Sequence, residues 1–587
     1  MLKRTCTCGD PRKEQAGDTI TLSGWINTYR DQGKGLVFID LRDRYGMTQI
    51  VFDGEDTPEN VMELGSSLRR EDVISVEGVI RVRDGKPNAK LETGEIELVA
   101  KNIEVINRTA KLPILPDDHD ADDIGEEHRL KYRYIDLRRP RMQKILALRH
   151  KITQFTRNFF ADNGFLEIET PLLITPTPEG ARDFIVPSRH QAGQWYALPQ
   201  SPQIFKQILM VAGCDKYMQI CKCLRDEDPR ADRQAEFTQI DLEMSFVEQE
   251  DVLKIMGEFA QKLYKEVGGI DLGELPHVSW KDAMDNYGSD RPDIRFDLQL
   301  ADVTELASKT DFKIFTETCS SGGSVKAMRV PGGAEKLTRK KTDGFAEIAK
   351  TYGAGGLPVV KYQGGEFSTG VAKFVEPIKD ELVEALSLED GDLVMFGVGT
   401  YRVACISLGE VRLAVAKELD LIPEGLHRGL WVIDFPMFDW NEEAERWVSE
   451  HHPFTAPLAS HLDTLESDPG NCLSSGYDLV INGAEVGGGS IRIHTPEVQS
   501  KVFGLLGLSQ EEAEEKFGFL LNALRYGAPP HGGVAFGLDR LVMMMIGTTN
   551  IRDVIAFPKT QTGADLMCEA PGAADPAQLE ELGIMMR

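Results

Sequence analysis

The residues best suited to chemistry lie between Leu224 and Phe246, in the stretch LRDEDPRADRQAEFTQIDLEMSF. Successive residues of a strand face opposite sides of a sheet. Phe237, Gln239, Asp241 and Glu243 therefore share one side, and Ile240, Leu242 and Met244 share the other. With KYMQICKC before it, the stretch predicts a strand–loop–strand hairpin with a polar face and an apolar face. A row of Gln, Asp and Glu across a sheet suits a positively charged ligand group, since strands more often give such places to β-branched or aromatic residues. Arg225, Arg230 and Arg233 in the loop suit an anion. The same pattern also describes a solvated sheet face with a charged turn, and spacing alone leaves both readings open.

These residues need a scaffold, and 587 residues are too many for one core. A hydrophobic share of 41% and a charged share of 27% are ordinary for a globular chain. No apolar run is long enough to span a bilayer and no apolar signal core opens the chain, so the expectation is a cytoplasmic protein without a membrane partner. Nine cysteines in this length fit a reducing compartment. Cys6 with Cys8 and Cys221 with Cys223 lack the spacing of a zinc site, and the second pair reads as small apolar residues on one side of a strand. A net charge of −28 argues against a general nucleic-acid binder. The exception is Arg129 to Lys151, rich in Lys and Arg, which reads as a solvated helix start or as a strip for locally docked RNA.

Along the chain, residues 1 to about 112 read as short strands with one helical patch at Asn60–Arg69, a small β domain. Lys111–Glu127, with Pro113, Pro116 and five Asp, reads as a linker. Ile145, Leu148, Ile152, Phe155 and Phe159 predict an amphipathic helix that Gly164 closes. LPQSPQIFKQILMVAG predicts a turn and a helix, with Gln203 and Lys206 beside any pocket. Residues 286–425 carry their own strands and helices and the basic run KLTRKK, so they read as an inserted domain. Further on, Asp478 and Glu485 are acids that could hold Mg²⁺. Gly487–Gly489 could admit a ligand close to the backbone. Ser490, Arg492 and His494 share one side of a strand. Val534–Phe536 predicts a last strand, then Gly537 and a helix opening with Asp539 and Arg540.

The hairpin, with its Arg225-x-Glu227, resembles motif 2 of the class II aminoacyl-tRNA synthetases, and RDEDPRADRQAEFTQID resembles its bacterial aspartyl form. Leu224 replaces the usual Phe there, and Pro229 and Ala235 occupy loop positions. GFLEIETPLLITPTPEGARDF, with Pro171, is similar to motif 1, and GAPPHGGVAFGLDRLVMMMIG to motif 3. The three run in order from about Gly164 to the C-terminus. The resemblance implies an α+β multidomain chain. It would comprise an OB-fold β-barrel for the anticodon at 1–112, a linker or hinge at 113–140, an antiparallel-sheet catalytic domain at 141–285 and 426–560, a GAD-like α+β insertion domain at 286–425, and a C-terminal extension at 561–587.

The same resemblance implies roles for single residues. Arg225, Glu227 and Arg540 would be catalytic. Glu179, Gln203, Lys206, Arg225, Asp241, His451 and Arg492 would bind aspartate. Arg225, Asp226, Glu227, Gln234, Glu485, Gly537, Leu538, Asp539 and Arg540 would bind ATP, with Mg²⁺ on Asp478 and Glu485. Phe38, Gln49 and Glu97 would meet the anticodon of the tRNA, by stacking and base-edge hydrogen bonds, although each also fits an ordinary surface strand. The implied reaction is activation of L-aspartate by ATP and transfer to tRNA-Asp, possibly also to tRNA-Asn, by a homodimer joined through motif 1. Gln32 takes the position that helps set the tRNA choice, typically Leu or His in the family, and so leaves that choice open. Charging of both tRNAs would imply an amidotransferase partner. Two alternatives stand beside this reading. One is a sister enzyme, asparaginyl- or lysyl-tRNA synthetase. The other is an inactive synthetase-like RNA-binding or regulatory protein, which would be expected to lack Arg225, Glu227 or Arg540.

Overall fold

A computed structural model describes residues 2–118, 124–176 and 181–585. Its chain divides into two compact units, Met1–Gln143 and Lys144–Arg587.

In the first unit five strands close a barrel: Thr19–Asp31, Leu36–Arg42, Met47–Asp53, Ile96–Asn107 and Val73–Val82 follow one another around it. Alternation of apolar and polar residues dictates this. Leu22, Ile39, Leu41, Ile50, Phe52, Ile74, Val76 and Leu98 all turn into one core. The helix Glu59–Ser66 falls on the predicted helical patch. Residues 113–140, read as a linker, contain two short helices, Glu126–Lys131 and Arg133–Asp136. Arg133 and Arg139 both pair with the fully buried Asp136, at 2.6 and 2.9 Å. Part of the basic strip is thus internal cement, which neither reading of the strip anticipated.

The second unit is built on an eight-stranded sheet. Its order is His277–Ser279, Gly429–Ile433, Gly476–Ile481, Ala484–Ile491, His531–Gly537, Glu236–Ser245, Lys216–Leu224 and Leu166–Glu167. The first and last pairings are parallel and those between are antiparallel. The apolar side of the hairpin strand packs as its alternation predicts, with Ile240 and Leu242 fully buried. Behind the sheet lie the helices Pro140–Asp162 and Gln249–Gly268. Phe159 and Phe160 meet Phe259 at ring-centre distances of 5.5 and 4.7 Å, and Phe259 meets Phe536 of the sheet at 5.3 Å. The second helix starts at a reciprocal cap between Glu248 and Asp251 and stops at Gly269, which takes a left-handed φ of 67°.

Residues between those sheet strands form a second, five-stranded antiparallel sheet, ordered Leu300–Asp302, Ser324–Val330, Asp392–Gly399, Val359–Gln363, Glu366–Ser368. Both its faces are covered. Val325, Ala327, Val394 and Phe396 pack into one core, and Met328, Val330, Leu393 and Met395 into another with the helix Tyr401–Glu418.

Candidate active site

The polar face of the hairpin strand forms the floor of a cavity of about 530 Å³. Gln239, Asp241, Lys206, Gln203, Arg225, Glu227, His451, Asp478, Glu485 and Arg492 all line it, so most of the sequence-predicted residues converge there. A second cavity of about 240 Å³ shares Arg225, Glu227, Gln239 and Glu485 with the first and adds Gln234, Phe237, Gly537, Asp539 and Arg540.

At the base of the larger cavity are two buried cations and two buried carboxylates. Lys206 Nζ donates to Asp241 Oδ1 at 2.8 Å and to the Leu242 carbonyl at 3.3 Å, and lies 3.3 Å from Glu243 Oε2. Arg492 grips Glu243 bidentately, Nε to Oε1 at 2.9 Å and Nη2 to Oε2 at 3.1 Å. Its Nη1 donates to Ser490 Oγ and to His452 Nε2, each at 2.7 Å. Burial opposes the charge on Glu243, but Arg492 and then Lys206 outweigh it and hold the carboxyl below its ordinary value. Burial raises Asp241 despite Lys206. Asp241 Oδ2 is buried and has no hydrogen-bond partner, so it can still accept one from a ligand cation.

Lys206 and Arg492, expected to meet a ligand carboxylate, both line the larger cavity. Both cations already have protein partners on the floor, and His452 sits on Arg492 where an anion would approach. Burial, then the neighbouring Arg492, holds His452 well below the ordinary histidine range, so the ring is neutral. Its Nδ1 lies 3.1 Å from the Phe454 amide and its Nε2 2.7 Å from Arg492 Nη1, so a neutral ring with one acceptor nitrogen faces two donors. A ligand carboxylate that takes the place of the ring on Arg492 would accept from the guanidinium and relieve that conflict. Glu243 was not assigned a role from sequence. The period-two stripe already contained Glu243, and His452 adjoins the predicted His451.

Asp478 and Glu485 face each other across Gly488. A Cβ there would fall 2.5 Å from Asp478 Oδ1 and 3.3 Å from Glu485 Oε1. Asp478, then burial, pushes Glu485 up to about 7. His451 Nε2 lies 3.6 Å from Asp478 Oδ1. Among the described residues no group of three or more His, Cys, Asp or Glu side chains could hold a metal ion by itself. The carboxylate pair fits a divalent cation that takes its other ligands from phosphate and water. The glycine run has a second cause besides ligand access. A Cβ on Gly489 would fall 1.9 Å from the carbonyl oxygen of Gly533 in the neighbouring strand.

In the smaller cavity Arg225 lies over the Phe237 ring at 5.2 Å, with its Nε buried and without a partner. Arg540 reaches the Glu485 carbonyl and approaches Asp232 at 3.8 Å. Gln234 accepts from the Lys559 amide at 2.9 Å and keeps a buried Nε2 without a partner. Asp539, expected at ATP, lines the smaller cavity and also has protein partners: Arg149 Nη1 donates to one oxygen at 2.5 Å and the Thr238 amide to the other at 2.8 Å. It ties the long helix, the hairpin and the helix Leu538–Ile546 together. Leu538 is buried, and neither it nor Asp226 lines either cavity. Asp226 exchanges backbone contacts with Arg182 instead. Glu179 lies outside the described residues. Asp290 and Glu450 line the larger cavity without having been predicted. Asp290 belongs to the stretch read as the insertion, where nothing in its neighbours marked it.

On the barrel, Phe38, Gln49 and Glu97 lie on one outer face. Gln49 Nε2 donates to Glu97 Oε2 at 2.9 Å, Arg30 donates to Gln49 Oε1 at 3.2 Å, and Arg81 pairs with Glu97 at 2.8 Å. Asp40, two residues on from Phe38, pairs with Gln49 in the strand register. Gln32 is exposed in the first loop, its amide bonded to the Leu36 carbonyl at 3.0 Å.

Comparison with known proteins now decides the family. Residues 125–561 match the family described as tRNA synthetases class II (D, K and N), and residues 20–106 match the OB-fold nucleic acid binding domain. The chain belongs to the class II aminoacyl-tRNA synthetases. This synthetase is 50% identical to the aspartate–tRNA(Asp/Asn) ligase of Desulfatibacillum aliphaticivorans, over 100% of this chain and 98% of that one. It is 49% identical to the aspartate–tRNA ligase of Bacillus licheniformis, over 100% and 99%. Its fold is shared with the crystal structure of asparaginyl-tRNA synthetase from Pyrococcus horikoshii complexed with asparaginyl-adenylate. That match has a TM-score of 0.61 at 18% identity, covering 95% of this chain and 99% of that one. The aspartyl tRNA synthetase from Entamoeba histolytica gives 0.58 at 18%, covering 95% and 91%. This synthetase is an aminoacyl-tRNA ligase, with an OB-fold barrel and a class II catalytic domain.

Proposed function

We propose that this synthetase activates L-aspartate in the larger cavity, with ATP in the smaller one, and transfers it to tRNA-Asp. The observation that carries the reading is the buried Lys206–Asp241–Glu243–Arg492 floor with His452 seated on it. It offers an anion the Arg492 guanidinium, at the place His452 now takes, and a cation the unpartnered Asp241 Oδ2. An amino acid with a carboxylate side chain satisfies both.

In the first step an oxygen of the aspartate α-carboxylate attacks the α-phosphorus of ATP. The bond to the β-phosphate breaks, pyrophosphate leaves, and aspartyl-adenylate forms. No protein nucleophile is needed, so catalysis is positioning and charge neutralisation. Arg225, at the junction of the two cavities, would meet the α-phosphate, and Arg540 the γ-phosphate. Glu227 and Gln234 would orient the nucleotide, and the Phe237 ring gives adenine a face to stack on. Asp478 and Glu485 would hold Mg²⁺, which when bound shields phosphate charge. In the second step the terminal ribose hydroxyl of the tRNA attacks the mixed anhydride and AMP leaves.

Asparagine lacks the charge that the Arg492–His452 site requires. Rejection of an analogue that leaves a built polar site unmatched reaches roughly 10⁴–10⁵-fold. For the partners, exposed Leu166, Leu172 and Leu173 in the motif 1 stretch support a homodimer formed there. Sedimentation of a monomer at micromolar concentration would sink that proposal. Relatives of nearly equal identity differ in name between Asp and Asp/Asn, so identity does not choose the tRNA.

The test of the reaction is aspartate-dependent ATP–pyrophosphate exchange, followed by aspartate charging of tRNA-Asp and tRNA-Asn side by side. Exchange with aspartate and none with asparagine or lysine is expected. Arg492→Leu should abolish exchange while ATP binding by calorimetry persists. Retained aspartate activation in that variant removes Arg492 from its role.

A further inference from the structure

The loop that carries His451 and His452 is held at its two ends by different parts of the molecule. Its far end is fixed by the catalytic core. Phe454 is 1% exposed and packs with Ile204, Phe503 and Phe517, and Gln499 donates to the Pro453 carbonyl at 2.8 Å. Its near end is Glu450, next to His451. Glu450 Oε1 and Oε2 accept from Arg402 Nη2 at 3.4 and 3.1 Å. Arg402 Nη1 also lies 3.4 Å from Asp439 Oδ2, on the hairpin that leads into the loop.

Arg402 stands in the first turn of the helix Tyr401–Glu418, which packs on the inserted five-stranded sheet. That turn is itself clamped. Tyr401 Oη donates to Asp285 Oδ1 at 3.1 Å, and the buried Lys326 of the inserted sheet donates to the same oxygen at 2.7 Å. Asp285 belongs to the helix Trp280–Tyr287, ahead of the insertion. The Arg402 guanidinium also lies over the Trp280 ring at 5.8 Å. Its position is therefore set from both sides before it reaches the loop.

We propose that Arg402 is a positioning residue, through which the inserted domain holds the histidine loop over the amino-acid site. The inference rests on the reading of the larger cavity as the aspartate site. His452 can stand beside a ligand carboxylate on Arg492 only while the loop lies down on the floor. Releasing Glu450 lowers the fraction of molecules in that arrangement, and apparent affinity falls by the same fraction. Arg402 lines neither of those two cavities but a third, of about 360 Å³, shared with Glu450, Asp478 and Glu485, so the cost is read at aspartate through the histidine loop.

The experiment is aspartate-dependent ATP–pyrophosphate exchange with the full chain, as wild type, Arg402→Ala, Arg402→Lys and Glu450→Gln. Arg402→Ala should raise KM for aspartate about fivefold, the upper range for a half-exposed ion pair. KM for ATP and kcat should stay within about twofold of wild type, a margin well under the effect of one such pair. Arg402→Lys should recover most of the loss. Glu450→Gln should match the alanine variant, and the double variant should lose no more than either single one. If Arg402→Ala does not fold, Arg402→Gln carries the same test. An unchanged or lowered KM for aspartate, or equal changes in both KM values and kcat, overturns the role of Arg402. Absence of exchange in the wild type with aspartate overturns the reading of the cavity, and this inference with it.

Discussion

Lys206 shows how much the site asks of one side chain. It is 1% exposed and lies between two carboxylates. Lys206→Met would leave Asp241 and Glu243 with a single cation between them. Breaking a buried ion pair from one side costs about 3–5 kcal/mol. The expected outcome is a large loss in chemical denaturation midpoint together with loss of aspartate activation. A variant of wild-type stability would show that the pair does not hold the floor together. The sequence made the stripe of Gln239, Asp241 and Glu243 legible, because strand alternation sorts side chains without knowledge of neighbours. It did not show that Lys206 and Arg492 would be neutralised from within, because those partners come from distant strands. Nor did it show that Asp539, inside a recognisable motif, also holds Arg149 and the Thr238 amide.

At the scale of elements, the sheet around the site depends on close strand contact and on neutral buried histidines. Gly489 faces the Gly533 carbonyl so closely that Gly489→Ala must push two strands apart. Overpacking of this kind costs about 1–3 kcal/mol or more, and thermal unfolding should record it. His531 donates from Nδ1 to the Pro529 carbonyl at 2.7 Å and receives Gln207 at Nε2. Burial lowers it from 6.5, so the unfolded chain takes up a proton first as pH falls. Its contribution to stability is complete above about pH 6.5 and declines below it, toward the lower folded value. His531→Asn should therefore flatten the loss of melting temperature between about pH 6.5 and 5. An identical slope in both proteins would contradict this. The strands and helices themselves were legible from apolar spacing. The two short helices in residues 113–140 were not, because Pro and Asp near them mask the period and Arg133, Asp136 and Arg139 form their core as ion pairs.

For the whole molecule, anticodon recognition and activation chemistry are assigned to different units, and the assignment is separable by experiment. Phe38→Ala should raise KM for tRNA-Asp in charging by about tenfold, since stacking on an aromatic ring contributes roughly 1–3 kcal/mol per base. Pyrophosphate exchange should stay unchanged. A parallel loss in both assays would mean that Phe38 supports the barrel and does not read RNA. The second sheet, within residues 300–399, was legible because it interrupts one pattern with another. Its hold on the histidine loop was not, because Arg402 and Glu450 are ordinary surface charges in sequence.

The order of the central sheet also bears on biosynthesis. All pairings of the barrel fall within residues 19–107, and those of the inserted sheet within 300–399. The hairpin strand, by contrast, finds its inner neighbour only at His531–Gly537, with Gln239 opposite Gly537. A chain leaving the ribosome N-terminus first thus has its two flanking modules in hand long before the floor can close. Until the last motif emerges, the charged stripe stays an open sheet edge with Asp241 and Glu243 in water. A nascent chain interrupted there would carry the barrel and no closed floor.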